Sequence, residues 1–299
     1  MDPRLQQHPL GFYEIAEKPT VDELQKHYAE KYYQDAKGSY EHEYNRDELK
    51  CFRSRLEQRY SALKAVQPRA SNMEEGSFLD VGCGEGYAMA YFREQGYTVK
   101  GLDFSSAGVE SKNPECLDAL ITGDLFELLQ SEINSGKQYD IVWLQNVLEH
   151  VLDPVDLMKT LRNLISPEGV AVISVPNDYS SIQREALERG HIDRPFWVVP
   201  PEHLSYFDNS SLTNIARETG WEIADLLGDF PIDWYLYHPG SNYVMDSTTG
   251  KNVHWARVQL ELLFAEKPIE DVLELWRAMA KVGSGRVLTV FITPAAGKA

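Results

Sequence analysis

The chain has 299 residues, with 29 basic against 46 acidic side chains and a formal net charge of −17. Its 43% hydrophobic and 25% charged residues exclude a disordered chain, and the length allows one or two domains with a sizeable core. The acidity argues against broad capture of nucleic acid or anionic membrane, which needs clustered Lys and Arg, yet a local pocket can still hold a small anion. The cysteines Cys51, Cys83 and Cys116 are odd in number and lack CxxC spacing, so neither a disulfide framework nor a zinc knuckle is expected. The first residues carry no apolar signal-like run, and no stretch approaches the roughly 18 apolar residues of a membrane span. A cytoplasmic protein is the expectation.

In chain order, residues 1–70 read as an N-terminal helical cap. Val21, Leu24, Tyr28 and Tyr32 recur every three or four residues, and Asp47–Val66 carries a second stripe of Leu49, Phe52, Leu56 and Leu63. From 71 to 227, short apolar runs alternate with amphipathic segments. The runs are Phe78–Val81, Thr98–Leu102, Ile141–Leu144 and Val170–Val175, and the segments include Ala88–Glu94 and Pro154–Leu164. Buried parallel strands read as continuous apolar runs because helices cover both faces, so an α/β doubly wound, Rossmann-like sheet is expected. Residues 228–299 add edge strands and a helical insert to the same domain. There, Trp221–Tyr237 reads as one long strand and His254–Val282 as a helical pair broken near Pro268. Gly285–Thr293 reads as a returning strand.

The chemistry starts at Leu79-Asp80-Val81-Gly82-Cys83-Gly84-Glu85-Gly86, where a strand closes in a glycine-rich turn and a helix opens at about Tyr87. Glycines let the backbone turn sharply and let a ligand approach the main chain. One strand later, Asp103 stands where a carboxylate can accept both ribose hydroxyls of an adenosine; helix capping is its bland alternative. Asp124, in Gly123-Asp124-Leu125, can accept an adenine amino group, again with a cap as the alternative.

These residues resemble a class I S-adenosylmethionine-dependent methyltransferase of the small-molecule type. The glycine turn resembles the family's first motif, Asp103 its ribose ligand and Asp124-Leu125 its adenine position. Tyr139-Asp140-Ile141-Val142 followed by Gln145-Asn146-Val147-Leu148-Glu149-His150 resembles the fourth-strand motif and its loop. Ile165-Ser166-Pro167-Glu168-Gly169 resembles the turn before strand five. A dehydrogenase needs G-x-G-x-x-G, which this chain lacks. The resemblance implies a seven-stranded sheet with its last strand antiparallel. It implies S-adenosylmethionine as cofactor, S-adenosylhomocysteine as product, and cofactor contacts from Asp80, Gly82, Cys83, Gly84, Gly86, Asp103, Phe104, Asp124, Leu125, Gln145 and Asn146. Tyr33, in the aromatic cap segment, is expected to reach the cofactor carboxylate.

Acceptor residues are then expected beyond the carboxyl ends of strands four and five. Glu149 and His150 follow the first of these, and Asn177, Asp178 and Tyr179 the second. Pro200-Pro201-Glu202-His203-Leu204-Ser205-Tyr206-Phe207 resembles the Pro-x-His element of small-molecule methyltransferases. Methyl transfer to a hydroxyl needs an aligned acceptor and a base, and histidine is the economical base at neutral pH. His203 and His150 lead, with Asp178 third; their structural alternatives are loop orientation and capping. Too few carboxylates gather to predict a metal. Arg184, Arg189 and Arg194 form a local basic stretch suited to an anionic acceptor, with a solvated helix face as the alternative. Tyr206, in the Pro-x-His element, is a further candidate for substrate binding, and Trp234, with Phe230, Tyr235, Tyr237, His238 and Tyr243, a candidate for a sugar platform, with packing of an edge strand as the favoured alternative. The reading is O-methylation of a small polar acceptor such as a sugar, sugar phosphate or nucleotide-linked sugar. N- or C-methylation of a small molecule, or an inactive S-adenosylmethionine-binding regulator, is the alternative. No nucleic-acid partner is expected, and oligomeric state stays open.

Overall fold

The computed structural model describes residues 2–20, 23–24, 26, 43–67 and 76–296. Leu5–Gln7 (β1) and Tyr13–Ile15 (β2) open the chain as a short antiparallel pair. Helix α1, Arg46–Val66, starts on a capping box in which the Asn45 side chain accepts from Asp47 and Glu48 while Glu48 returns to the Asn45 backbone. Cys51, Leu56, Ala62 and Leu63 are its buried face, and full burial of Leu63 contributes about 2 kcal/mol. The stripe differs at one end: Leu49 is exposed.

The core follows as Ser77–Val81 (β3), Tyr87–Glu94 (α2), Thr98–Asp103 (β4), Ala107–Lys112 (α3), Leu120–Thr122 (β5), Leu125–Asn134 (α4) and Tyr139–Gln145 (β6). Pro154–Leu164 (α5), Ile165–Pro176 (β7), Ser181–Glu188 (α6), Ser205–Tyr206 (β8), Asn209–Glu218 (α7) and Trp221–Leu227 (β9) continue it. Gly250–Ala265 (α8), Ile269–Lys281 (α9) and Val287–Pro294 (β10) complete the chain. Seven strands form one sheet in the order β5-β4-β3-β6-β7-β10-β9. Strands β3 to β7 pair in parallel, and β10 runs antiparallel to both β7 and β9, as expected. The strand order reverses between β3 and β6, which opens a crevice at their carboxyl ends. One apolar layer, with Val142 and Leu144, packs under α5; the other, with Phe78 and Trp143, packs under α2 and α1.

Two stretches depart from the sequence reading. Strand β9 stops at Leu227, and Ile232–Tyr237 is a 3₁₀ turn. Asp229 turns inward to accept from the Val287 backbone N–H, and Pro231 has no N–H for a ladder. The cap also begins with strands: β2 pairs with β8, so residues 5–15 are stitched to the segment carrying His203. Val21, Tyr28, Tyr32 and Tyr33 lie outside the described residues. No helix among the described residues is long and apolar enough to cross a membrane.

Candidate active site

The crevice is shaped first by backbone. Gly82, Gly84 and Gly86 have φ of 72°, 54° and 77°, a region that side chains disfavour. A Cβ on Gly82 would lie 2.4 Å from Cγ2 of Val147, so the turn and the loop after β6 close on each other there. The Gly84 N–H donates to Oδ2 of Asp103 at 2.8 Å, and the Ser105 N–H donates to Oδ1 at 3.1 Å. Asp103 therefore ties the glycine turn to the end of β4. Burial pushes its carboxyl up against those backbone donors. Asp80 is pushed up to about 8 by burial and then by the Asp103 charge. Cys83 is buried, and burial pushes its thiol up.

A cleft of about 230 Å³ joins this turn to α1 and is lined by Phe52, Arg55, Arg59, Asp80, Gly82 and Gln145 among others. Arg59 donates to Oε1 of Gln145 at 2.8 Å. Burial, and then Arg55, lowers it to about 10, which leaves it a cation at neutral pH. A buried carboxyl, a guanidinium and a turn that a Cβ would fill thus face one cleft. That set can hold a zwitterionic amino-acid end: an ammonium restores the Asp80 charge, and a carboxylate meets Arg59.

A second group gathers beyond β6 and β7. His150 and His203 lie ring to ring at 5.0 Å, edge to face. Nδ1 of His150 is 2.6 Å from the Glu202 carbonyl. A carbonyl only accepts, so Nδ1–H donates. Nδ1 of His203 stands 3.6 Å from Oδ2 of Asp178, whose Oδ1 accepts from Arg286 at 2.9 Å. Burial opposes the Arg286 charge, but Asp178, Asp233 and Tyr243 together more than offset that. Glu149 is buried and pushed up to about 8, by burial above all and with Asp178 adding to it. Ligand atoms of Glu149, His150 and His203 lie within 4.8 Å of one another, a metal-compatible spacing absent from the sequence reading.

The remaining expected residues divide clearly. Phe104 exposes its ring beside Asp103, and Asn146 holds a left-handed φ of 54° directly after Gln145. Asp124 caps α4, accepting from Phe126 and Glu127, and Leu125 packs against the core. Asn177 donates to the Gly285 carbonyl at 2.7 Å and so locks β7 to the start of β10. Tyr179 packs on Tyr13 at 4.4 Å, and the Tyr206 hydroxyl donates to the His203 carbonyl at 2.9 Å. Trp234 is 52% exposed and bonds Ser284. Arg184, Arg189 and Arg194 are exposed, the latter two paired with their neighbours Glu185 and Asp193, and the structure does not gather them into a pocket. Sequence reasoning missed Arg55, Arg59, Arg257 and Arg286. The first two were within reach, since they stand at i and i+4 on α1 beside Phe52 and Leu56.

Fold and cleft together define a methyltransferase. Residues 52–226 match the family model described as a methyltransferase domain, and the chain belongs to that family. It is a S-adenosylmethionine-dependent methyltransferase. The chain is similar to the ubiquinone biosynthesis O-methyltransferase of Pasteurella multocida, 26% identical over 61% of this chain and 82% of that protein. The enzyme of the same name from Vibrio parahaemolyticus is 30% identical over 52% of this chain and 71% of its own. A S-adenosylmethionine-dependent methyltransferase from Archaeoglobus fulgidus shares the fold, with a TM-score of 0.51 and 17% identity over 90% of this chain and 98% of that one.

Proposed function

We propose that this enzyme methylates a hydroxyl of a small polar acceptor, with His203 as the base, in one catalytic unit built from residues 1–70, 71–227 and 228–299. The observation that carries the reading is the convergence of His203, Asp178 and Arg286. Residues from three separate segments line up as base, orienting carboxylate and counter-cation. The histidine–carboxylate separation of 3.6 Å is loose for a hydrogen bond, as catalytic contacts often are before substrate binds. The names of the similar enzymes, which are O-methyltransferases, support oxygen as the acceptor atom.

S-adenosylmethionine supplies an electrophilic sulfonium methyl, so the protein has to hold the cofactor, orient the acceptor and take one proton. Asp80 and Arg59 would hold the methionine end, Asp103 the ribose and Phe104 the adenine. Asp178 orients the His203 ring with one oxygen, while Arg286 holds its other oxygen. His150, tied to Glu202, positions the loop that carries His203. A second reading rests on the spacing of Glu149, His150 and His203, which would hold a divalent cation in place of a free base.

The test is transfer of a labelled methyl group from S-adenosylmethionine to a panel of sugar nucleotides, phosphosugars and small phenols, with and without chelator. The expected result is labelled product that survives chelation. Loss with chelator favours the cation reading, and no transfer to any hydroxyl would sink the proposal.

A further inference from the structure

We propose that the cleft between α1 and α8 is an anion subsite for the acceptor, read by Arg257 together with Arg55. The inference rests on the methyltransferase reading above and names the acceptor class: a carboxylate or phosphate on a small, partly apolar body. Arg55 is held against Glu261, Nε to Oε2 at 3.0 Å and Nη2 to Oε1 at 2.6 Å. Arg257 reaches the same carboxylate only at 3.5 Å, and its Nη2 donates to Nδ1 of His254 at 3.1 Å. Its Nε–H is buried with no hydrogen-bond partner among the described residues.

The carboxylates around Arg55 and Arg257 are already engaged, and among the described residues only Glu48 of these lines the cleft itself. Glu261 serves Arg55. Glu48 accepts from His254 at 2.7 Å with one oxygen and from the Asn45 backbone at 2.9 Å with the other. Asp229 accepts from Val287. Guanidinium donors are therefore in surplus, and what satisfies them is an acceptor-rich group. The cleft encloses about 340 Å³, has Phe52 and Tyr44 as aromatic walls, and shares Arg55 and Phe52 with the cofactor cleft. A solute seated there adjoins the cofactor cleft. The exposed Arg184, Arg189 and Arg194 have no such enclosure.

The test uses the full chain in calorimetry. S-adenosylhomocysteine is titrated first, and the saturated protein then receives phenyl phosphate, benzoate or benzyl alcohol. At least one anion is expected to bind about tenfold more tightly than the alcohol, and the better anion assigns phosphate or carboxylate. Arg257→Gln is expected to erase most of that preference while S-adenosylhomocysteine affinity stays within about twofold, and Arg257→Lys to keep part of it. Falling anion affinity with added salt provides a check that needs no variant. Equal binding of the alcohol, no binding of either anion, or an unchanged preference in Arg257→Gln overturns the subsite. Failure of S-adenosylhomocysteine to bind instead sinks the methyltransferase reading, and the subsite with it.

Discussion

The cofactor cleft and the acceptor side are built by different means. Gly82, Gly84, Asp80 and Asp103 lie on two neighbouring parallel strands and their turns, and the bond from Gly84 to Asp103 spans 19 residues. On the proposed acceptor side, Asp178 meets Arg286 across 108 residues, and Arg55 meets Glu261 across 206. The first is a local motif that any chain with this strand–turn–helix geometry can present. The second exists only once α8, β10 and the cap have docked, and it is where one methyltransferase differs from another. The two sides should therefore fail separately.

The largest effect is expected from Gly82→Val. Its positive φ and the crowding by Val147 should lower S-adenosylhomocysteine affinity more than about 100-fold in calorimetry, with stability reduced by about 2–4 kcal/mol in urea unfolding. Next, His203→Ala should lower turnover by about 10²–10⁴-fold in the labelled-methyl assay. Asp103→Ala should weaken S-adenosylhomocysteine by about 10–100-fold, with Asp103→Asn between it and the wild type.

A smaller effect is one of pH. The carboxyls of Asp80 and Glu149 are raised to about 8 in the folded chain, well above their unfolded values near 4. The folded state then binds more protons than the unfolded one across that interval. Their contribution is present below about pH 4 and is lost as pH rises through about 8. The melting temperature should fall from pH 5 to 8.5 on their account, and Asp80→Asn should make that fall shallower. The smallest effect is expected from Arg189→Ala, within about 0.5 kcal/mol of stability and with turnover unchanged, since its partner is an exposed neighbour.

Legibility in the sequence follows the same division. The parallel strands, the glycine turn, the helix opening at Tyr87 and the antiparallel last strand were readable because period and turn chemistry are local. The overlong strand past Leu227 was not, because Phe230 and Ile232 continue an apolar run whose ladder ends at Asp229, bonded to the Val287 N–H, and at Pro231. Likewise β1 and β2 have three residues each, too short for any periodicity to register. His150, His203 and Asp178 were nameable singly, while their meeting depends on long-range backbone contacts, the Leu204 N–H to the Glu149 carbonyl at 2.8 Å and the bridge of Asn177 to Phe207. Charge along the chain misled at Arg184–Arg194, because spacing in sequence carries no information about which arginines are buried. Arg257 lies on α8, which has exposed apolar residues around it, and nothing local marks it as facing inward.

The most direct test is to measure S-adenosylhomocysteine affinity and labelled-methyl turnover side by side in the wild type and in His203→Ala. Affinity is expected to stay within about twofold while turnover falls at least about 100-fold. A variant that loses both together, or that keeps full turnover, would contradict the separation of the two sides.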